Sequence, residues 1–249
     1  MQKKNWASLE DCRKAVDIYF DKVIKPRKYG KLLSKKVNIP PSIVDILDYQ
    51  RYLLMLLYTE IPPVRPLQYT GQTSENDKSD GMAFIQYNDY IKLTQEDLDK
   101  HNYIVHSRAR FNKQDSKIPA SLIHFGKMTY KGEDWFLKLG ENNTLVPNEK
   151  LHKAIHNYYR LLKKINVPTD KNIFKNSSLD RISRARLSIE IGKGFIIAIN
   201  KDIKPRLFRG IHQTTHPDFD IKMIKSWFNY CKVMGHTPQV ALNIYNKNI

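Results

Sequence analysis

The sequence predicts a mainly helical α+β fold. Long stretches with helical hydrophobic spacing flank a central run of short strand-like segments, and the chain is apolar enough to bury a core. It has 249 residues, 41% hydrophobic and 11% aromatic, which gives room for one full domain, or one with a small appendage. Behind Ser8 as N-cap, Leu9–Val23 places Ala15, Ile18, Tyr19 and Val23 on one helical face, and a basic stretch broken by Pro26 and Gly30 follows as a linker. Residues 1–40 therefore read as an N-terminal helix and basic linker, and 41–249 as the main domain. After Pro40-Pro41, residues Ser42–Glu60 read as an amphipathic to fully buried helix that stops before Pro62-Pro63. Gly71–Gly81 is polar and turn-rich, an exposed loop. Strand-like runs follow at Ala83–Tyr87, Tyr103–Val105, Leu122–Met128 and Asp134–Leu139, with a turn at Lys131-Gly132; a small antiparallel sheet accounts for them. From Asn148 onward helical periods dominate, at Glu149–Ile165, from Ser178 to Gly192 or beyond, Arg206–Thr214, Ile221–Met234 and Pro238–Tyr245.

Charge narrows the function. Forty-two Lys and Arg against 25 acidic residues give a formal net charge of +17, with an isoelectric point near 9.7 and a mean hydropathy of −0.55. A folded, strongly basic chain points to a polyanionic partner, nucleic acid first. The longest apolar run, Tyr52–Tyr58, is far short of the ~20 residues of a spanning helix, and the first residues carry no apolar leader core. Two cysteines, Cys12 and Cys231, stand far apart without a CxxC pair, which fits a reducing compartment, cytoplasm or nucleus. His152-x3-His156 and His212-x3-His216 have a spacing suited to zinc but lack the HExxH glutamate and a third ligand. Pro217–Lys222 crowds its two aspartates into one turn, unlike a metal-dependent nuclease. There is no phosphate loop of the GxxxxGK[ST] kind and no GxGxxG, so nucleotide hydrolysis and dinucleotide redox chemistry lose their best support.

The most specific pattern is near the C-terminus: Met234-Gly235-His236-Thr237-Pro238, then a helical stretch, then Tyr245 nine residues after His236. It resembles the last catalytic box of the tyrosine recombinase family, the phage integrases, chromosome-dimer resolvases and their viral relatives. Upstream, Arg65 follows the buried helix in the turn TEIPPVRPLQY and matches the family's first arginine. Lys204-Pro205-Arg206-Leu207-Phe208-Arg209 matches the second box, with Arg209 as the second arginine and Arg206 where the family favours histidine. Phe125–Glu133 resembles the hairpin that carries the family's lysine, Lys127 being preferred over Lys131. The similarity spans Ile43 to Tyr245.

The resemblance implies a helical tyrosine-recombinase catalytic domain that acts on double-stranded DNA. Tyr245 would attack the scissile phosphate and form a 3′-phosphotyrosyl link, so no external energy source is needed. Arg65, Arg209 and His236 would donate to the non-bridging oxygens as charge builds in the transition state, and Lys127 would protonate the leaving 5′ oxygen. Arg206 and Lys131 would be further phosphate contacts. No cofactor or metal is implied, and exchange between two duplexes implies dimers or tetramers on paired sites. Family habit also suggests a mobile element or virus, with integration or another recombination as its purpose. Family members carry a separate core-binding domain before the catalytic one, so with only residues 1–40 ahead of the match the chain reads as a fragment or a compact member. Two alternatives stay open: DNA relaxation of the type IB topoisomerase kind, and a basic DNA-binding protein that has lost cleavage.

Overall fold

The computed structural model describes residues 2–34, 39–71, 81–106, 121–126, 128–130, 133–135 and 144–215. Its helices are α1 (Gln2–Asn5), α2 (Leu9–Tyr19), α3 (Tyr29–Leu32), α4 (Ile43–Glu60), α5 (Pro66–Thr70), α6 (Tyr87–Tyr90), α7 (Gln95–Lys100), α8 (Glu149–Lys164), α9 (Arg184–Ile199) and α10 (Pro205–Thr215). The strands are β1 (Ala83–Gln86), β2 (Tyr103–His106), β3 (Ser121–His124), β4 (Met128–Tyr130), β5 (Glu133–Trp135) and β6 (Thr144–Leu145). A mainly helical protein with a small sheet is thus what forms. The helices expected at Ile221–Met234 and Pro238–Tyr245, and most of the loop Gly71–Gly81, lie outside the described residues.

Local chemistry explains where the helices start. Ser8 with Asp11, Ser42 with Asp45 and Thr94 with Asp97 form reciprocal capping boxes, while Asn148 and Ser183 cap α8 and α9 from one side. Each satisfies backbone donors that a helix start leaves orphaned. The last predicted helix boundary shifts: α9 begins at Arg184 rather than near Ser178. The Asn176 side chain accepts from the Ser178 and Asp180 amides, and Leu179 takes a left-handed φ of 63°. That turn is incompatible with a continuing helix. The first helix also departs from expectation, because α2 gives way at Phe20 to a π-helical stretch, Phe20–Ile24, in which the Lys25 amide donates to the Phe20 carbonyl at 2.8 Å.

The expectation of an antiparallel sheet is corrected in one pair. The four-stranded sheet has the order β1-β2-β3-β6, and β1 runs parallel to β2, Ala83 opposite Tyr103, whereas β2-β3 and β3-β6 are antiparallel. The parallel pair requires a crossover, which α6 and α7 supply; their four and six residues were too short to show a helical period. The predicted strand Leu122–Met128 also splits: β3 ends at His124, and β4 begins at Met128 and pairs with β5 as a separate two-stranded hairpin.

The core is organised around α4. From Tyr52 to Thr59 every α4 side chain is buried, so this helix is apolar all round and needs cover on all sides. It is packed by α8, α9 and α2. Cys12, Ala15, Val16 and Tyr19 of α2 belong to the same continuous core as Leu53–Leu57, Leu161 and Phe195. A buried ion network clasps the three helices: Arg51 on α4 donates to Glu190 on α9 at 2.5 Å, to Asp48 at 2.8 Å and to the Tyr19 hydroxyl on α2 at 3.1 Å. The sheet lies against α8, where Phe84 meets the Tyr159 ring edge-on, 5.1 Å between centroids.

Candidate functional site

Arg65 is positioned by the way α4 ends. Pro62 and Pro63 cannot continue the helix, Ile61 is extended, and the chain is drawn back to the core through Val64, which is 1% exposed. The buried Tyr58 hydroxyl donates to the Val64 carbonyl at 3.1 Å and fixes this reversal. Arg65 is next in the chain, half-buried, with extended dihedrals as the residue before α5, and its carbonyl accepts from the Gln68 amide at 2.9 Å. It therefore lies five residues beyond the end of α4 rather than in its last turn, where a cation would merely meet the helix dipole.

Arg209 arrives from the other end of the sequence. α9 stops at Asn200 in a left-handed cap, Ile203 is buried, and α10 starts at Pro205, where a missing N–H costs nothing. Phe208 and Ile211 face the core. Phe208 stands 5.7 Å from the Tyr58 ring and 5.0 Å from Phe195. One turn on, the buried His212 donates through Nε2 to the Tyr58 carbonyl at 2.8 Å. These contacts seat α10 on Tyr58 and leave Arg209 half-buried, its Nε buried without a hydrogen-bond partner among the described residues. Burial pushes the Tyr58 hydroxyl well above the ordinary tyrosine range, Tyr69 adds to the rise, and the Arg209 charge opposes it. Arg206, one turn before Arg209, is exposed.

The base of the lysine hairpin meets the same cluster. Tyr69 on α5 is fully buried, its ring 5.7 Å from Tyr58, 6.1 Å from Phe125 and 5.7 Å from Phe174. The Asn102 side chain donates to the Gln68 carbonyl at 2.9 Å and accepts from the Gly126 amide at 2.9 Å. It thereby ties α5 to the point where β4 departs. Gly126 is required there: a Cβ would come within 2.6 Å of the Asp99 carbonyl and 2.8 Å of that of His101.

Of the residues selected from sequence, Arg209 lies on the helix seated on Tyr58, Arg65 follows the Val64 carbonyl that Tyr58 holds, and Arg206 is a turn before Arg209 on the surface. Tyr245, His236, Lys127 and Lys131 lie outside the described residues. The sequence reading missed the frame. Tyr58 read there only as the end of the apolar run of the core helix, Tyr69 and Asn102 were not singled out, and His212 was weighed only as a zinc ligand or a helix-face histidine. The signal available for His212 was its place beside Phe208 and Ile211 on one face of α10. Among the described residues no group of His, Cys, Asp or Glu could hold a metal ion, and no helix is long and apolar enough to cross a membrane.

Comparison with protein-family models, with curated proteins and with solved structures finds no match to this chain.

Proposed function

We propose that the chain is a site-specific DNA recombinase that cuts and rejoins strands through a covalent 3′-phosphotyrosyl intermediate on Tyr245. The observation that supports this reading is that Tyr58, whose hydroxyl fixes the Val64 carbonyl just before Arg65, is also the residue on which α10 is seated and whose charge environment Arg209 enters, with Tyr69 and Phe125 in the same ring cluster. Two guanidinium groups held on a rigid buried frame are suited to a tetrahedral phosphate that gains charge on attack, since each offers a planar pair of donors. In the reaction the Tyr245 hydroxyl loses its proton to solvent and its oxygen bonds to phosphorus, the bond from phosphorus to the 5′ oxygen breaks, and Lys127 gives that oxygen its proton. Rejoining reverses these steps, a 5′ hydroxyl attacking the phosphotyrosyl phosphorus and releasing Tyr245, which regains a proton. Partners in this reading are double-stranded DNA and further copies of the chain assembled on paired sites.

The test uses the full chain and its Tyr245→Phe variant, incubated with supercoiled plasmid and with nicked duplexes from the DNA flanking the gene, then quenched in detergent. A protein-linked DNA species is expected with the parent chain and none with Tyr245→Phe. Arg209→Ala should slow its formation by roughly 100-fold or more, the scale of losing one transition-state donor. Relaxation of plasmid by a monomer would move the reading to a topoisomerase. DNA binding with no adduct on any substrate would move it to a binding protein.

A further inference from the structure

A second feature lies at the opposite end of α4 from Arg65. A cavity of about 480 Å³ opens between the π-helical stretch and α3 on one side and α4 and α8 on the other, within the usual size of small-molecule sites. Its floor is aromatic. Phe20, Tyr49 and Tyr29 line it; Tyr49 meets Tyr29 at 4.9 Å between centroids, and Phe20, 37% exposed, is backed by Tyr52 outside the lining at 5.4 Å. Its rim is basic: Lys25, Lys28 and Arg160 line it, Lys25 being paired with the exposed Asp21 at 3.3 Å. Arg160 is held in place by the Leu33 carbonyl. Two backbone irregularities shape the mouth. The π-helical stretch begins at Phe20, and Lys28 takes a left-handed conformation, φ 52° and ψ 44°. Single π turns of this kind recur at functional sites, and a left-handed lysine is uncommon enough to need a reason.

We propose that this groove binds an unpaired nucleotide of single-stranded nucleic acid. An aromatic platform with an exposed ring accepts the face of any base, and flanking lysines follow the phosphates on either side; this pairing is how sequence-tolerant single-strand sites work. The exposed Lys31 extends the basic surface beyond the cavity. The groove is open at its rim rather than enclosed, which suits a base carried on a continuing strand. Tyr49 precedes Tyr58 by about 13 Å along α4 at 1.5 Å per residue, so the site is separate from the arginine pair and does not depend on the strand-transfer reading.

The test is fluorescence anisotropy with a short labelled thymidine oligonucleotide and with a duplex of equal length, at about 200 mM salt to suppress non-specific binding. Two variants are used. A Cβ added at Gly30 meets nothing within 4 Å, so Gly30→Trp fills the groove without disturbing the fold, and Phe20→Ala removes the exposed ring. Each should weaken single-strand binding about tenfold, the loss of one stacked base, and leave duplex binding unchanged. Photocrosslinking of an iodouracil oligonucleotide should label the segment that holds Phe20 and Tyr29. Unchanged single-strand affinity in both variants, equal losses for both DNA forms, or crosslinks confined to other segments would each overturn the proposal. So would competition by free thymidine monophosphate as strong as by the oligonucleotide, since the occupant would then be a free nucleotide.

Discussion

Two buried tyrosines in ring contact have hydroxyls in opposite situations. The Tyr58 hydroxyl donates to the Val64 carbonyl, whereas that of Tyr69 is buried with no hydrogen-bond partner among the described residues. Removing a bonded hydroxyl leaves its acceptor unsatisfied, so Tyr58→Phe should cost about 1 kcal/mol. Tyr69→Phe should be neutral or stabilising by up to about 1 kcal/mol, because it removes a desolvated group that gains nothing in return. Urea denaturation of both variants checks the pair. If Tyr69→Phe kept its stability while DNA cleavage fell, the Tyr69 hydroxyl would belong to the phosphate site rather than to the core.

At the scale of elements, the contact between α8 and the sheet is where pH should act. The His106 ring on β2 meets that of His156 on α8 at 5.0 Å, His152 lies 6.3 Å from His156, and the Ser121 hydroxyl on β3 is 3.0 Å from His152 Nδ1. Burial, then the His106, Arg160 and His152 charges, lower the His156 pKa from 6.5 to about 4, and His152 is lowered for related reasons. A folded pKa below the unfolded value means that the unfolded chain binds more protons between the two. The contribution is therefore fully present above about pH 6.5 and is lost as pH falls toward 4. Allowing for the partial exposure of His156, the loss is about 1–2 kcal/mol. Urea midpoints between pH 7 and 5 should fall less in His156→Gln than in the parent chain; parallel pH profiles would remove the histidines as the cause.

For the whole molecule the governing quantity is the net charge of +17. If duplex DNA is the partner, each neutralised phosphate releases a counterion, and binding should weaken by about 10³–10⁵ between 50 and 200 mM salt if six to ten phosphates are contacted. Anisotropy titrations against salt measure that slope. A slope near zero would mean that the excess charge serves another purpose. The buried ion network spreads stability across the molecule, since Arg51 ties α2, α4 and α9 together and Glu190 is also paired with Arg186 at 2.8 Å. The N-terminal helix is thereby part of the same packed body as α4.

What the sequence by itself determined is whatever depends on neighbours along the chain. The long helices followed from their hydrophobic period, as α4 and α8 show, and starts such as Ser8 followed from capping chemistry. So did the end of α4, since Pro62 and Pro63 act locally. Arg65 and Arg209 were picked out only by their resemblance to the arginine boxes of the tyrosine recombinases, one in the turn after α4 and one near the start of α10. Tertiary structure decided the rest. Whether β1 joins β2 in parallel depends on the path of α6 and α7, too short to leave a period. The break at Phe125-Gly126 depends on carbonyls of residues 98–101 that crowd Gly126. That the helix carrying Arg209 sits on the tyrosine that holds the chain just before Arg65 depends on α10 docking through Phe208 and His212. Spacing along a chain carries no information about contacts closed by packing between distant segments.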